Sequence, residues 1–130
     1  MNQRQLPKAL TPSALIVEPV PALARFLTAL MTDLGFRVST VAQPDDALDH
    51  LEASTQPVDL IISEFALPYI TGARLARFIR RRIPNAPIIL LCDEPVNERF
   101  QRPIGAHLLC KPFTREQLAA LLRNAQLLAA

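Results

Sequence analysis

The chain has 130 residues, 50% of them apolar and 20% charged, which is the composition of one ordinary globular domain with material for a single sizeable core. A formal net charge of +2 is too small to imply a nucleic-acid partner. No run approaches the ~18 apolar residues of a membrane span, and the opening MNQRQLPKALTPS lacks the charged-then-apolar profile of a signal peptide, so a cytoplasmic protein is expected.

Residues 1–12 are polar, carry Pro7 and Pro12, and read as a flexible leader before a domain spanning 13–130. SALIV (13–17) is a short apolar run that stops at Glu18-Pro19, the pattern of a buried strand. From Pro21 to Leu34, Leu23, Phe26, Leu27, Leu30, Met31 and Leu34 recur at helical spacing, with Gly35 as the stop. FRVSTV (36–41) alternates and is β-branched, which predicts a second strand. Pro44 with Asp45 and Asp46 opens a short helix to about Ala53, its acids favourably placed in the first turn.

DLIISEFALPYITG (59–72) contains the third strand, which ends on a carboxylate, Glu64, before a loop with Pro68. After Gly72, ARLARFIRRRI is helical, with Leu75, Phe78 and Ile79 on one face and Arg74, Arg77, Arg80, Arg81 and Arg82 mostly elsewhere. APIILLC (86–92) is the most apolar strand, and Pro95 and Pro103 leave room for only a short helix across 93–104. HLLC (107–110) is a last brief strand, and Thr114 opens a final helix over 114–128 with a Thr-x-x-Gln capping box.

Five strands alternating with helices predict an α/β domain with a parallel sheet covered on both faces, and right-handed crossovers leave a few doubly wound orders. The core is expected to include Leu15, Ile16, Val17, Leu60, Ile61, Ile62, Ile89, Leu90 and Leu91. In every such order the carboxyl ends of the strands share one edge, where open α/β sheets carry their chemistry. Glu18, Glu64, Cys92 and Lys111 each lie at or just past such an end.

These residues carry a family likeness. DLIISEFALPYITG with its Leu-Pro and closing Gly, PIILL in the fourth strand and GAHLLCKPF with its Lys-Pro pair fall at the mutual spacing of the receiver domain of two-component response regulators. The chain resembles that family over roughly 13–129. The resemblance implies a flavodoxin-like receiver fold with strand order 2-1-3-4-5, and a helix between the fourth and fifth strands that is shorter here than in the family. It also implies a site where Mg²⁺, held by an acidic cluster, assists phosphoryl transfer to an aspartate.

Position by position, much of that site is altered. The family's acidic pair falls on Glu18 and Pro19, and its phospho-acceptor on Glu64, whose carboxylate reaches one methylene further. The switch threonine falls on Cys92, the small residue after it on the bulkier, anionic Asp93, and the switch aromatic on Leu108. Lys111, the lysine that pairs with the phosphate, is retained with Pro112 behind it. The changes predict an atypical pseudo-receiver with no cofactor and no metal, because a site missing one carboxylate loses ligand charge for Mg²⁺. Glu64 and Lys111 are expected as a structural ion pair, with imitation of a phosphorylated aspartate by Glu64 as the sharper alternative.

The resulting expectation is a bacterial, non-enzymatic signalling module that works through protein contacts independently of phosphorylation. Its partner would be a histidine kinase or an output protein, with no nucleic acid and no membrane. The short helix beside a final helix bearing Leu118, Leu121, Leu122, Leu127 and Leu128 suggests a partly exposed leucine seam suited to a homodimer. Two alternatives stand beside this reading. One is a working phospho-acceptor that uses Glu64, with Glu18 and Asp93 holding Mg²⁺; the other is a DNA-associated regulator that uses the arginine-rich helix. His50 and His107 have no metal-ligand spacing. Cys92 and Cys110 are expected as free core thiols. If Lys111 faces the site, alternation turns Cys110 away from it, which argues against a Cys92–Cys110 disulfide.

Overall fold

A computed structural model of the chain describes residues 11–93 and 106–128. Most of the leader expected over 1–12, and all but the first residue of the short helix expected across 93–104, lie outside them. The described elements are β1 (Ser13–Val17), α1 (Pro21–Asp33), β2 (Arg37–Val41), α2 (Pro44–Ala53), β3 (Leu60–Glu64), α3 (Gly72–Arg82), β4 (Ile88–Cys92), β5 (Ala106–Cys110) and α4 (Arg115–Asn124). The five strands form one parallel sheet in the order β2-β1-β3-β4-β5, as the sequence predicts.

Alternation along the strands divides the core in two. Ile16, Ile62 and Leu91 face one side, where Leu27 and Met31 of α1 and Leu118 and Leu122 of α4 cover them. Leu15, Val17, Ile61 and Leu90 face the other, against Ala47 of α2 and Leu75 and Ile79 of α3. Every residue of the central strands β3 and β4 is buried. Covering both faces is what allows these strands to read as unbroken apolar runs. All nine expected core residues are buried.

Both α1 and α4 end in the same hydrogen-bonded motif. After α1, Gly35 at φ 100° donates its N–H to Thr32 at 3.0 Å, and Phe36 donates to Met31 at 3.0 Å. After α4, Gln126 at φ 62° donates to Arg123 at 2.9 Å, and Leu127 to Leu122 at 2.8 Å. The second stop ends the final helix at Asn124, short of the expected 128. It also folds the tail inward, so Leu121, Leu127 and Leu128 pack against the core beside the buried Leu118 and Leu122. Of the leucines expected as a partly exposed seam, Leu118 and Leu122 are buried, and Leu121, Leu127 and Leu128 are half-buried against the core. Among the described residues the exposed large apolar side chains are Val20, Phe26 and Tyr69.

Gly72 begins α3 directly beneath the end of β3, and its N–H donates to the Phe65 carbonyl at 2.6 Å. A Cβ there would collide with the Glu64 carbonyl oxygen and lie 3.0 Å from Phe65 Cα. Both obstacles are backbone, so neither can rotate away. Gly72→Ala is expected to cost about 2 kcal/mol in urea unfolding, in the range of overpacking defects, and to disturb amide resonances at Glu64 and Phe65. A variant as stable as the parent would show that the approach is looser than described.

Candidate functional site

The carboxyl edge of the sheet gathers the residues that the sequence placed at strand ends. Glu18 follows β1, with its N–H donated to Val41 at 2.9 Å. Glu64 closes β3 and Cys92 closes β4. Lys111 follows β5 and donates its N–H to the Cys92 carbonyl at 2.8 Å, and a cis peptide bond joins it to Pro112. Three strand ends and the lysine after β5 thus surround one small volume.

Two carboxyls in that volume are buried, Glu18 at 3% exposure and Glu64 at 7%. Lys111 Nζ donates to Glu64 Oε1 and also meets Asp93 Oδ1 at 3.3 Å. Burial alone would lower the Lys111 value, but Glu64 and then Asp93 outweigh it and hold the ammonium above its ordinary range. Asp93 lies at the mouth of the site with its side chain 77% exposed, so it extends the ion pair outward.

Glu18 has no such counterion. Its Oε2 accepts from Val20 N–H at 3.1 Å, while its buried Oε1 accepts no hydrogen bond among the described residues. Burial pushes its carboxyl up from 4.5 to about 7, and Glu64 adds to the rise as an acceptor for the Glu18 proton and as a like charge. Val20 N–H and the Lys111 charge pull the other way. Near neutrality Glu18 is therefore partly a neutral acid whose proton faces Glu64. Pro19 contributes no side-chain oxygen, and no three His, Cys, Asp or Glu residues cluster as a metal site among the described residues.

The switch positions are apolar or thiol. Leu108 is half-buried against the α2–α3 side of the core, and Cys92 is 4% exposed. Cys110 does not turn away from Cys92. The two residues are register partners on adjacent parallel strands, so they share a face, and their sulfurs lie 3.4 Å apart as free thiols. The sequence-based expectation failed because it counted alternation back from Lys111, which lies in the bend beyond β5, where alternation no longer applies. Burial, and then Cys110, push the Cys92 thiol up to about 11.

The arginines of α3 are divided in their use. Arg80 Nη1 donates to the Pro84 carbonyl at 3.0 Å and to that of Ile83 at 3.2 Å, and Arg82 pairs with Glu52 at 2.7 Å. Arg74, Arg77 and Arg81 are exposed. Two features of the site had no legible signal in the sequence: the unpartnered Glu18 oxygen and the left-handed Tyr69, at φ 74° and 96% exposed in the β3–α3 loop.

The response regulator receiver domain model matches residues 14–123. The chain belongs to the response regulator receiver family. It is 33% identical to the response regulator ArlR of Staphylococcus aureus over 114 residues, 84% of this chain and 50% of that protein. It is 29% identical to transcription factor SKN7 of Chaetomium thermophilum over 117 residues, 87% of this chain and 15% of that protein. This receiver chain thus spans half or less of the curated relatives it matches. A solved structure, the receiver domain of sensor histidine kinase PA1611 from Pseudomonas aeruginosa, superposes with a TM-score of 0.75 at 28% identity, covering 87% of this chain and 95% of that one. The receiver is thus a module of two-component signalling with the flavodoxin-like fold. No helix among its described residues is long and apolar enough to cross a membrane.

Proposed function

We propose that this receiver acts as a phosphorylation-independent interaction module, presenting one fixed conformation to a signalling partner, a histidine kinase or an output protein, in the cytoplasm. The observation that carries this reading is the ion pair of Lys111 with Glu64. The lysine that the family uses to meet a phosphate already has its anion at the acceptor position. The altered neighbours agree with it. Cys92 is a weak donor where a hydroxyl would reorient toward phosphate, and Leu108 has no aromatic ring to move with it.

The donor set does not fit Mg²⁺ well. That ion wants near-octahedral oxygen with carboxylate charge, whereas Pro19 supplies none, Glu64 and Asp93 are engaged by Lys111, and Glu18 tends to hold a proton. The arginine helix gives weak support to DNA binding, because Arg80 and Arg82 are committed to intramolecular contacts.

A second reading has one observation in its favour. The buried, unpartnered Oε1 of Glu18 could be a cation ligand, and the PA1611 receiver domain carries magnesium coordinated in its active-site cleft. One experiment separates the two readings. The chain is incubated with Mg²⁺ and either acetyl phosphate or beryllofluoride, then followed by intact mass and amide NMR. An unchanged mass and unmoved Glu64 and Lys111 resonances are expected. A phosphoryl adduct on Glu64, or a saturable beryllofluoride shift there, would overturn the proposal in favour of the acceptor.

A further inference from the structure

We infer that Cys92 and Cys110 form a dithiol that hydroperoxides convert to an intramolecular disulfide, which makes the β4–β5 edge a redox modification site beside Lys111. Register places the two residues directly opposite one another on neighbouring parallel strands. Such strands lie about 4.8 Å apart, within the Cα separations of roughly 4.4–6.8 Å that disulfides span. The sulfurs already lie at 3.4 Å, within contact of one another. Bond formation therefore needs a short approach of two side chains on a common face, with no rearrangement of the strands.

The roles follow from exposure. Cys110 is half-exposed and Cys92 is buried, so Cys110 meets the oxidant first. The Cys110 thiolate attacks one oxygen of the hydroperoxide and the O–O bond breaks. The leaving oxygen takes up a proton and departs as water or an alcohol, and Cys110 becomes a sulfenic acid. Cys92 Sγ then attacks Cys110 Sγ, the S–O bond breaks, and the departing hydroxide takes the Cys92 proton as water. Two thiols have together lost two electrons, and the peroxide has gained them. The raised value of the Cys92 thiol makes this second step the slower one near neutral pH, and the closeness of the two sulfurs is what favours it.

The bond would reach the ion pair through the backbone. Cys110 is joined to Lys111, and Lys111 N–H is held by the Cys92 carbonyl at 2.8 Å. The new bond therefore forms directly beside the segment that aims Lys111 at Glu64, close enough to shift its resonances. This inference is independent of whether Glu64 accepts a phosphate.

The test oxidises the full chain with hydrogen peroxide, alkylates it under denaturing conditions and measures intact mass and tryptic peptides. The expected product is a monomer lighter by two hydrogens that takes up no alkyl group, contains a Cys92–Cys110 linked peptide, and recovers both alkylations after reduction. Amide NMR should show reversible shifts at Lys111 and Glu64. Cys110→Ser, a change at a half-exposed position, should slow oxidation of Cys92 at least tenfold. Two free thiols after oxidation, a disulfide linking two chains, or Cys110 over-oxidised with Cys92 still free would each overturn the site. A cross-link without any shift at Lys111 would overturn its reach into the ion pair.

Discussion

Lys111→Met is expected to destabilise the domain by about 3 kcal/mol in urea unfolding at neutral pH. The side chain of Glu64 is 9% exposed and its ionic partner is Lys111, so removing the ammonium strands a buried carboxylate beside the second buried carboxyl of Glu18. Breaking one side of a buried pair costs more than the pair contributes, because the remaining charge keeps its desolvation penalty. Lys111 is itself about a quarter exposed, which places the effect at the lower end of such losses. The variant should also push the Glu18 titration higher, since the nearby Lys111 charge helps to hold it down. Adding Glu64→Leu should recover most of the loss by removing the stranded charge. A loss below about 1 kcal/mol would instead class the contact with ordinary surface ion pairs.

Glu18→Gln is expected to abolish a pH dependence that the parent domain shows between about pH 4.5 and 7. The folded value of Glu18 lies above its unfolded value, so the folded domain binds the proton more tightly. Its contribution is fully present below about 4.5, falls as the pH rises toward 7, and is gone above that. A rise of this size corresponds to about 3 kcal/mol at most. Glutamine keeps a donor in the place of the acid proton, facing Glu64, at every pH. The variant should therefore equal the parent near pH 4.5 and exceed it by about 2–3 kcal/mol at pH 8. Urea midpoints across that range supply the test, and parallel curves for the two proteins would refute it. Carboxylates remote from the site cancel in the difference, which isolates Glu18 together with its interaction with Glu64.

The sequence was most legible where one local pattern carried one structural meaning. The runs SALIV, LIIS and IILLC could only be covered strands, and right-handed crossovers together with the family likeness set their order. The two helix stops show the limit. Gly35 is legible as a left-handed stop because glycine pays no Cβ penalty there. Gln126 adopts the same conformation with no such signal, held by its hydrogen bonds and by Leu127 packing on the core. For that reason the final helix ends earlier than its sequence pattern suggests.

At the site, strand-end positions named the right residues, because a parallel sheet delivers them to one edge whatever else varies. Their pairings were harder to read. The Cys92–Cys110 contact depends on the register between two strands separated by residues 93–105, and no local pattern encodes register across such a gap. The proton held by Glu18 depends on how tertiary packing buries its carboxyl beside Glu64, whereas the sequence shows only an acid beside a proline.

The Lys111–Glu64 ion pair has a consequence in time as well as in space. A phosphorylated receiver is a timer, because its state decays as the acyl phosphate hydrolyses and must be renewed by a kinase. A carboxylate built into the chain never decays. On the reading proposed above, a partner senses how much of this protein has been made, and its response can be ended only by dilution, degradation or a chemical change at the strand ends themselves.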